Sequence, residues 1–219
     1  MKKFSIAIDG PAGAGKSTIA KLVANKLGYI YIDTGAMYRA VAWKTLKCKE
    51  PVTDELILKV AADIDISLRL KDGGGIVVAV DGTEVTAELR TPEVTKIVSQ
   101  VAMLGPVREK MVDLQRKIAE NGGIVMDGRD ITSHVLPNAE VKIFMTASIQ
   151  ERAHRRGKEM MEKGYEVDYK QLEEEIALRD KMDSEREVSP LIKTDDSVLL
   201  DTTGMTIDEV AEAIMKMCR

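Results

Sequence analysis

The stretch that decides the fold is Gly10-Pro11-Ala12-Gly13-Ala14-Gly15-Lys16-Ser17. It has the spacing G-x-x-x-x-G-K-S, which is typical of a phosphate-binding loop, or P-loop. Glycines let such a loop curl until successive backbone N–H groups point inward at phosphate oxygens. An apolar run precedes the loop and a helical pattern follows it, so the positive end of a helix dipole would face the same anion. The spacing therefore predicts a site for a nucleoside triphosphate.

Each polar side chain of the loop has an expected task. Lys16 would bridge the β- and γ-phosphates of ATP, and the Ser17 hydroxyl would ligate Mg²⁺. We expect ATP to be bound by the continuous segment Gly10, Pro11, Ala12, Gly13, Ala14, Gly15, Lys16, Ser17 and Thr18.

Outward from the loop, short apolar runs alternate with amphipathic stretches, which is typical of a parallel sheet covered by helices. The predicted core strands are Phe4–Asp9, Tyr29–Asp33, Ile124–Asp127, Val141–Thr146 and Val198–Asp201. Helices are expected over Ser17–Leu27 (with Gly28 as its stop), Ala36 to about Lys49, Asp54–Asp63, Pro92–Met103, from near Pro106, and within Asp168–Glu187. Capping-box spacing marks two more helix starts, Ser148 with Glu151 and Thr206 with Glu209. The pattern predicts an α/β fold of the P-loop NTPase type, with a five-stranded parallel sheet flanked by helices.

One region breaks this alternation. Ile66–Leu70, Ile76–Val80 and Glu84–Ala87 are β-rich, and the turn signals Asp72-Gly73-Gly74-Gly75 and Asp81-Gly82 join them. Such signals are typical of hairpins. We therefore expect a small antiparallel subdomain inserted in the α/β core.

Composition limits the possible partners. The chain has 219 residues, a net charge of -4 and 4% aromatic residues, which argues against bulk binding of nucleic acid or an acidic membrane. No stretch approaches the ~20 apolar residues needed to span a bilayer. Cys48 and Cys218 form no disulfide or zinc pattern, so a reducing cytoplasm is the simplest location.

A P-loop alone does not separate a small-molecule kinase from a GTPase-like switch or a motor. An Asn-Lys-x-Asp segment for guanine is absent, and the strand Ile124–Asp127 continues as Asp127-Gly128-Arg129-Asp130 rather than ending in Asp-Glu. Two phosphate-bearing substrates need more cations than one, and arginines are spread along the chain at Arg39, Arg108, Arg129, Arg152, Arg155, Arg156, Arg179 and Arg186. The pattern favours a kinase, with an ATP-dependent binding switch as the alternative from another class.

Two of these arginines follow predicted strands, at the sheet edge where α/β proteins bind ligands. Thr34 and Arg39 in Asp33-Thr34-Gly35-Ala36-Met37-Tyr38-Arg39 could hold an acceptor phosphate, although Arg39 could also lie on a solvated helix face. Gly128-Arg129-Asp130 is either a second part of that site or an ordinary polar loop.

The remaining arginines share helix faces. The spacing i, i+3, i+4 places Arg152, Arg155 and Arg156 on one helix face. That face is either part of a mobile lid that closes over the transferred phosphate or a solvated face on which Glu151 and Glu159 pair with arginines. Arg179, Asp183 and Arg186 also share a face, which could be a simple salt-bridge ladder.

Together these motifs closely resemble the bacterial cytidylate kinase family, the CMP/dCMP branch of the nucleoside monophosphate kinases. The resemblance covers essentially the whole chain. It is carried by Ile8-Asp9-Gly10-Pro11 with the P-loop, the segments Asp33–Arg39 and Asp127–Asp130, Glu151-Arg152-Ala153-His154-Arg155-Arg156, Arg179-Asp180 with Asp183-Ser184-Glu185-Arg186, and Ser189-Pro190-Leu191.

The resemblance implies ATP-dependent, Mg²⁺-requiring phosphorylation of CMP and dCMP. We expect the enzyme to be a cytoplasmic monomer that binds neither nucleic acid nor a membrane. It implies one domain, 1–219, with a core of 1–35, 120–147 and 195–219, an acceptor-binding region with the insert over about 36–105, and a lid over about 148–187. Another small-molecule P-loop kinase, of the UMP/CMP or shikimate type, is the alternative among enzymes.

The resemblance also assigns residues. Thr34, Arg39 and Arg129 match the surroundings of the acceptor phosphate; Ser99, Arg108 and Asp130 match readers of cytosine; Asp183 and Arg186 match residues near the ribose. The implied catalytic cations are Lys16, Arg129, Arg152, Arg155 and Arg156. Two departures are Thr34, where relatives often have Ser, and Met182, where some relatives have Arg.

Overall fold

The computed structural model describes residues 3–70, 76–162 and 164–218. Its strands there are β1 Ser5–Asp9, β2 Ile30–Asp33, β3 Ile66–Leu70, β4 Ile76–Val80, β5 Thr83–Glu84, β6 Ile124–Gly128, β7 Val141–Thr146 and β8 Val198–Asp201. The helices are α1 Lys16–Leu27, α2 Thr34–Lys47, α3 Asp54–Asp63, α4 Pro92–Met103, α5 Gly105–Ala119, α6 Ile149–Glu162, α7 Tyr169–Glu185 and α8 Ile207–Met217. A 3₁₀ turn (Glu88–Arg90) and a π-helical turn (Ile131–Val135) complete the regular elements.

Five strands form one parallel sheet in the order β2-β6-β1-β7-β8. Successive side chains of β1 point to opposite faces: Ile6 and Ile8 pack in the cluster that contains α1 and α8, and Ala7 packs in the cluster that contains α5. The sheet is therefore covered on both faces. The five predicted core strands are confirmed to within one residue at each end.

Helix ends follow local chemistry. Gly28 adopts a left-handed conformation and donates to Ala24 O and Asn25 O, which confirms it as the stop of α1. Helix α2 begins two residues before the predicted Ala36 because the Asp33 carboxylate caps it, accepting from Ala36 N at 3.1 Å. It also ends two residues before the predicted Lys49, whose φ is 57°.

The insert is an antiparallel sheet in the order β3-β4-β5. Asp81 and Gly82 have φ of 50° and 80°, which confirms the predicted two-residue hairpin turn; the predicted Asp72–Gly75 turn lies outside the described residues. The third strand was predicted over Glu84–Ala87, and this is wrong. Pairing stops at Glu84 because the Thr86 hydroxyl accepts from Val78 N at 2.9 Å, and the chain then turns into Glu88–Arg90.

The other helices complete the outer layers. Aliphatic side chains of α2, α3, α4 and α5 pack with the insert in one cluster, and α6 packs on α7 through Ala153, Leu172 and Ile176. Thr206 and Glu209 form the predicted capping box at α8. At α6 the Ser148 hydroxyl accepts from Glu151 N at 3.2 Å, whereas the Glu151 carboxylate pairs with Arg155. Among the described residues, none of the helices is both long and apolar enough to cross a membrane.

Candidate active site

The P-loop joins β1 to α1 at the carboxyl edge of the parallel sheet. Gly10 has a φ of 149°, and a Cβ there would lie 1.9 Å from Met145 O of β7, so only glycine fits against that strand. Gly15 has a φ of 85° and immediately precedes α1. The predicted ATP segment thus forms one curled loop, and Thr18 follows on α1 with an exposed side chain.

Three carbonyls of the loop face protein cations. Pro11 O accepts from Lys16 Nζ at 2.8 Å, Ala12 O from Arg152 Nη1 at 3.0 Å, and Ala14 O from Arg155 Nη1 at 3.4 Å. A loop whose carbonyls point at cations can direct its N–H groups the other way, toward an anion.

Lys16 and Asp127 form the charged centre of the loop. Lys16 is 5% exposed; burial, and then the Arg129 cation, lower the pKa of its amine to about 7. Asp127 accepts from Ser17 Oγ at 2.9 Å and from the Tyr31 hydroxyl at 2.7 Å. Burial, reinforced by the Asp33 carboxylate and opposed by Lys16, raises the pKa of Asp127 to about 6. A bound divalent cation or phosphate would directly change the pKa of Lys16 and the pKa of Asp127.

The neighbourhood of Ser17 suits magnesium. Its hydroxyl and the Asp127 carboxylate set hard oxygen donors side by side next to the loop. In the described part of the chain no group of three or more His, Cys, Asp or Glu could form a metal cage. Mg²⁺ commonly takes one or two protein oxygens together with water and substrate phosphates, so the residues present fit it.

Asp9, at the end of β1, has a structural task. Its carboxylate is fully buried and accepts from Ile131 N at 2.9 Å, Thr132 N at 2.7 Å and Thr132 Oγ1 at 2.7 Å. Burial raises the pKa of Asp9 and the bonds from Thr132 oppose the rise. These bonds anchor the π-helical turn that follows Asp130, and they were not predicted from the sequence.

Cations from distant segments converge beside the loop. Burial, then Arg129 and, more weakly, Arg39 and Arg156 lower the pKa of Arg179 to about 9. Burial likewise lowers the pKa of Arg39. The Nε atoms of Arg39 and Arg179 are buried without a hydrogen-bond partner in the described residues. We call Lys16, Arg39, Arg129, Arg156 and Arg179 the cation cluster.

The cation cluster is chemically suited to a polyanion, because crowded guanidinium groups with unused donors are stabilised by phosphate oxygens. Arg179 was counted from the sequence among the arginines available for two phosphate-bearing substrates but was given no position in the site, so its place in the cluster was missed. The Thr34 hydroxyl, predicted for the acceptor phosphate, is buried in the same region and donates to Asp127 O at 2.7 Å.

A second buried polar group is formed by Arg108 and Asp130. Arg108 is 2% exposed; its guanidinium is hydrogen-bonded to the Asp130 carboxylate and donates to Ala102 O at 2.9 Å. Arg186 Nη2 lies 3.9 Å from Asp130 Oδ1. Ser99 is half-buried on α4, one turn before Ala102. Two of the predicted cytosine readers, Arg108 and Asp130, are therefore paired in one buried place with Arg186 beside them, and the third, Ser99, lies on the helix that supplies Ala102 O.

The α6 arginines differ from one another in their contacts. Arg152 is 4% exposed and is held by Ala147 O at 3.0 Å and Asp180 at 2.6 Å in addition to the loop. Arg155 pairs with Glu151 at 2.8 Å, as the solvated-face alternative predicts, and also donates to Thr202 O at 2.7 Å. Two of the three side chains thus tie α6 to the P-loop and to the end of β8, and Arg156 contributes its charge to the cation cluster.

The site combines a P-loop and its buried lysine with a second anion-binding site formed by arginines from several elements. This combination defines a kinase that acts on a phosphate-bearing acceptor. The family model for cytidylate kinase matches residues 6–219. Cytidylate kinases of Bacillus cereus and Bacillus thuringiensis are each 54% identical to this chain, over 99% and 98% of it and over 96% and 95% of their own lengths. The chain belongs to the cytidylate kinase family, and the resemblance in its motifs is confirmed.

A solved structure from Eubacterium ventriosum, of a protein described as uncharacterized, matches with a TM-score of 0.55 at 16% identity and covers 98% of this chain and 97% of its own. At that identity the match supports the fold alone.

Proposed function

We propose how the described side chains perform ATP-dependent phosphorylation of CMP and dCMP, which yields ADP with CDP or dCDP. The observation that carries the proposal is a continuous series of charged contacts from the P-loop to the buried Arg108–Asp130 pair. The Arg129 charge acts on Lys16, and Arg129 pairs with Asp183 at 2.7 Å. Arg186 then lies 3.9 Å from both Asp183 and Asp130. A nucleoside monophosphate has a phosphate and a base at its two ends, and this arrangement offers each end a matching partner.

On the donor side, residues Gly10–Thr18 hold ATP. Lys16 would contact its β- and γ-phosphates, and the Ser17 hydroxyl with the Asp127 carboxylate would hold Mg²⁺. When bound, Mg²⁺ neutralises part of the charge on the donor phosphates.

On the acceptor side, Thr34, Arg39, Arg129 and Arg179 bind the phosphate of CMP. That phosphate has a second pKa of about 6, so its oxygen is already an anionic nucleophile near neutral pH and needs no dedicated base. The oxygen forms the new bond to the γ-phosphorus while the bond to the β,γ-bridging oxygen breaks and its electrons remain on ADP. The protein contributes in-line positioning and cationic stabilisation of the transferred group, the latter from Lys16 and the arginines.

The base is read by hydrogen-bond polarity. Cytosine presents an N4 amino donor to Asp130, and its N3 and O2 acceptors suit Arg108 and the Ser99 hydroxyl. Uracil presents O4 and N3–H at the first two positions, so its polarity opposes both charged residues. A site built around hydrogen bonds rejects such a mismatch far more strongly than it rejects a missing methylene. Asp183 and Arg186 are assigned to the ribose.

We assign the chain to one kinase domain with three working parts: the core (1–35, 120–147 and 195–219), an acceptor-binding region of about 36–105, and a lid of about 148–187. Lid closure would exclude water, which otherwise competes as acceptor. Arg152 of α6 contacts both the P-loop and Asp180 of α7. These contacts support a lid in which α6 and α7 move together when ATP binds to the P-loop. The enzyme works as a cytoplasmic monomer in this proposal.

A coupled assay of ADP formation with a panel of acceptors tests the function. CMP and dCMP should give a higher kcat/KM than UMP, AMP or shikimate. A preference for AMP or shikimate would overturn the substrate assignment, and ADP formation that does not depend on any acceptor would favour the binding switch. Omitting Mg²⁺ or adding a chelator should abolish transfer to CMP.

A further inference from the structure

Gln115 is a buried polar residue for which the mechanism above has no use. It lies on α5, is 1% exposed, and neither its amide oxygen nor its amide nitrogen has a hydrogen-bond partner in the described residues. The Tyr38 hydroxyl and the Nε of Arg108 are buried and without a partner in the same sense. Such atoms are few in native proteins, and each one calls for an explanation.

These atoms belong to one continuous group. Arg108 and Gln115 are seven residues apart on α5, almost two full turns, so they share a helix face. The Arg108 guanidinium carbon lies 5.3 Å from the centre of the Tyr38 ring, within cation–π range. Burial raises the pKa of Tyr38 to about 12, and the Gln115 amide is close enough to its hydroxyl to oppose that rise. The chain of contacts therefore runs from Gln115 through Tyr38 and Arg108 to Asp130.

The chemistry of the group explains why a glutamine suits this position. A primary amide offers two donors and an acceptor, and a phenol offers one of each, so the Gln115 amide can either donate to the Tyr38 hydroxyl or accept from it. An apolar residue of the same size would leave the phenol without that support. The Tyr38 ring would then be held only by packing and by its contact with Arg108.

We propose that Gln115 is a positioning residue for recognition of the acceptor base: its amide holds the Tyr38 hydroxyl, and the Tyr38 ring in turn holds Arg108 against Asp130. The inference rests on the proposed function, because it deepens the role given to Arg108 and Asp130. Gln115 touches neither substrate in this proposal and acts only through its neighbours.

Gln115→Met tests the proposal, because methionine keeps the length and helix preference of glutamine and removes the amide. Met111→Leu, a volume-conserving change at a fully buried position of the same helix, is the matched control for packing. Gln115→Met should raise KM for CMP about fivefold, the loss of roughly one neutral hydrogen bond, and narrow the preference for CMP over UMP. KM for ATP should stay within about twofold.

Tyr38→Phe supplies an independent arm. It should raise KM for CMP to a similar extent, and the double variant should be no worse than the worse single variant, because both changes break one chain of contacts. Met111→Leu should alter neither KM.

Three results would overturn the proposal: an unchanged KM for CMP in folded Gln115→Met, parallel rises of KM for CMP and ATP, or fully additive effects in the double variant. If Gln115→Met does not fold, Tyr38→Phe decides alone, and an unchanged KM for CMP in it overturns the proposal. The panel of acceptors, measured with the wild type, distinguishes failure of the proposed function from failure of this inference. A wild type that does not prefer CMP refutes the proposed function, whereas a preference for CMP over UMP in Gln115→Met that equals the wild-type preference refutes only this inference.

Discussion

Arg129 Nε donates to Asp183 Oδ2 at 2.7 Å, and this ion pair joins the turn after β6 to the last turns of α7. Burial alone would raise the pKa of Asp183, but the Arg129 and Arg179 cations more than offset it, so the pKa is lowered. The carboxylate is therefore ionised near neutral pH and is a neighbouring counter-charge for the cation cluster. Its loss should affect both the folded protein and the binding of anions.

Asp183→Asn is expected to lower the free energy of unfolding of the protein without ligands by roughly 2 kcal/mol, because the charge of Arg129 is left without its carboxylate. The thermal midpoint should fall accordingly. It should also lower kcat/KM for CMP at least about tenfold. Inorganic phosphate should raise the midpoint of Asp183→Asn more than that of the wild type, since an added anion replaces the missing charge. Asp195→Asn, at an exposed carboxylate, is the control. Equal shifts with phosphate in all three proteins would contradict the assignment.

Lys16→Met should separate catalysis from stability. Removing a cation aimed at the transferred phosphoryl group should lower kcat at least about 100-fold. The folded protein should not suffer, because burial lowers the pKa of Lys16 from 10.5 to about 7 and the charged amine is therefore costly in the free enzyme. Between about pH 7 and 10.5 the unfolded chain holds more protons at this position, so the wild type gains stability as pH rises there.

Lys16→Met should show a smaller gain in stability with pH, while Lys21→Met, at an exposed lysine of the same helix, should keep both the full gain and normal kcat. Unfolding midpoints and steady-state kinetics across this pH range are the measurements. A near-normal kcat in Lys16→Met would refute the role of the lysine.

The features predicted correctly from the sequence are those set by neighbouring residues. The P-loop spacing, the stop at Gly28 and the Asp81-Gly82 turn depend on local backbone conformation, which glycine and aspartate reveal directly. Even here a side chain can shift a boundary. The carboxylate of Asp33 caps α2 and starts it two residues early, and the hydroxyl of Thr86 replaces a ladder bond and shortens β5.

Long-range contacts were beyond the same reasoning. Helical spacing showed that Arg152 and Arg155 share a face, but it could not show that the face packs on P-loop carbonyls some 140 residues away in the chain. Arg179 and Gln115 likewise take their roles from partners on other elements. A single sequence carries no signal for such pairs, because periodicity reports which residues share a face and not what that face meets.

Asp130→Asn should change base recognition without moving the donor site. An amide at this position can donate to O4 of uracil, so kcat/KM for UMP relative to CMP should rise, while KM for ATP stays within about twofold. The buried Arg108 cation loses its carboxylate, so a loss of about 3 kcal/mol in unfolding free energy is also expected. Asp113→Asn, at an exposed position of α5, is the control. Equal losses for CMP and ATP would instead indicate general destabilisation.

Asp127→Asn should change how the stability of the free protein depends on pH. Burial and the Asp33 carboxylate raise the pKa of Asp127 from 3.8 to about 6. Between those values the folded wild type holds a proton that the unfolded chain has released, so its unfolding free energy falls as pH rises through this window. The amide of the variant cannot titrate, and its oxygen can still accept from Ser17 and Tyr31, so the fall should be smaller in the variant.

Thermal midpoints of both proteins, free of nucleotide and metal and measured from about pH 4 to about pH 8, provide the comparison. Burial also raises the pKa of Asp9, which contributes a fall of the same sign, but Asp9 is present in both proteins and cancels in the difference. Asp208→Asn, at an exposed carboxylate of α8, should follow the wild type. If Asp127→Asn and wild type fall equally between about pH 4 and about pH 6, Asp127 is already ionised at low pH and its raised pKa is wrong.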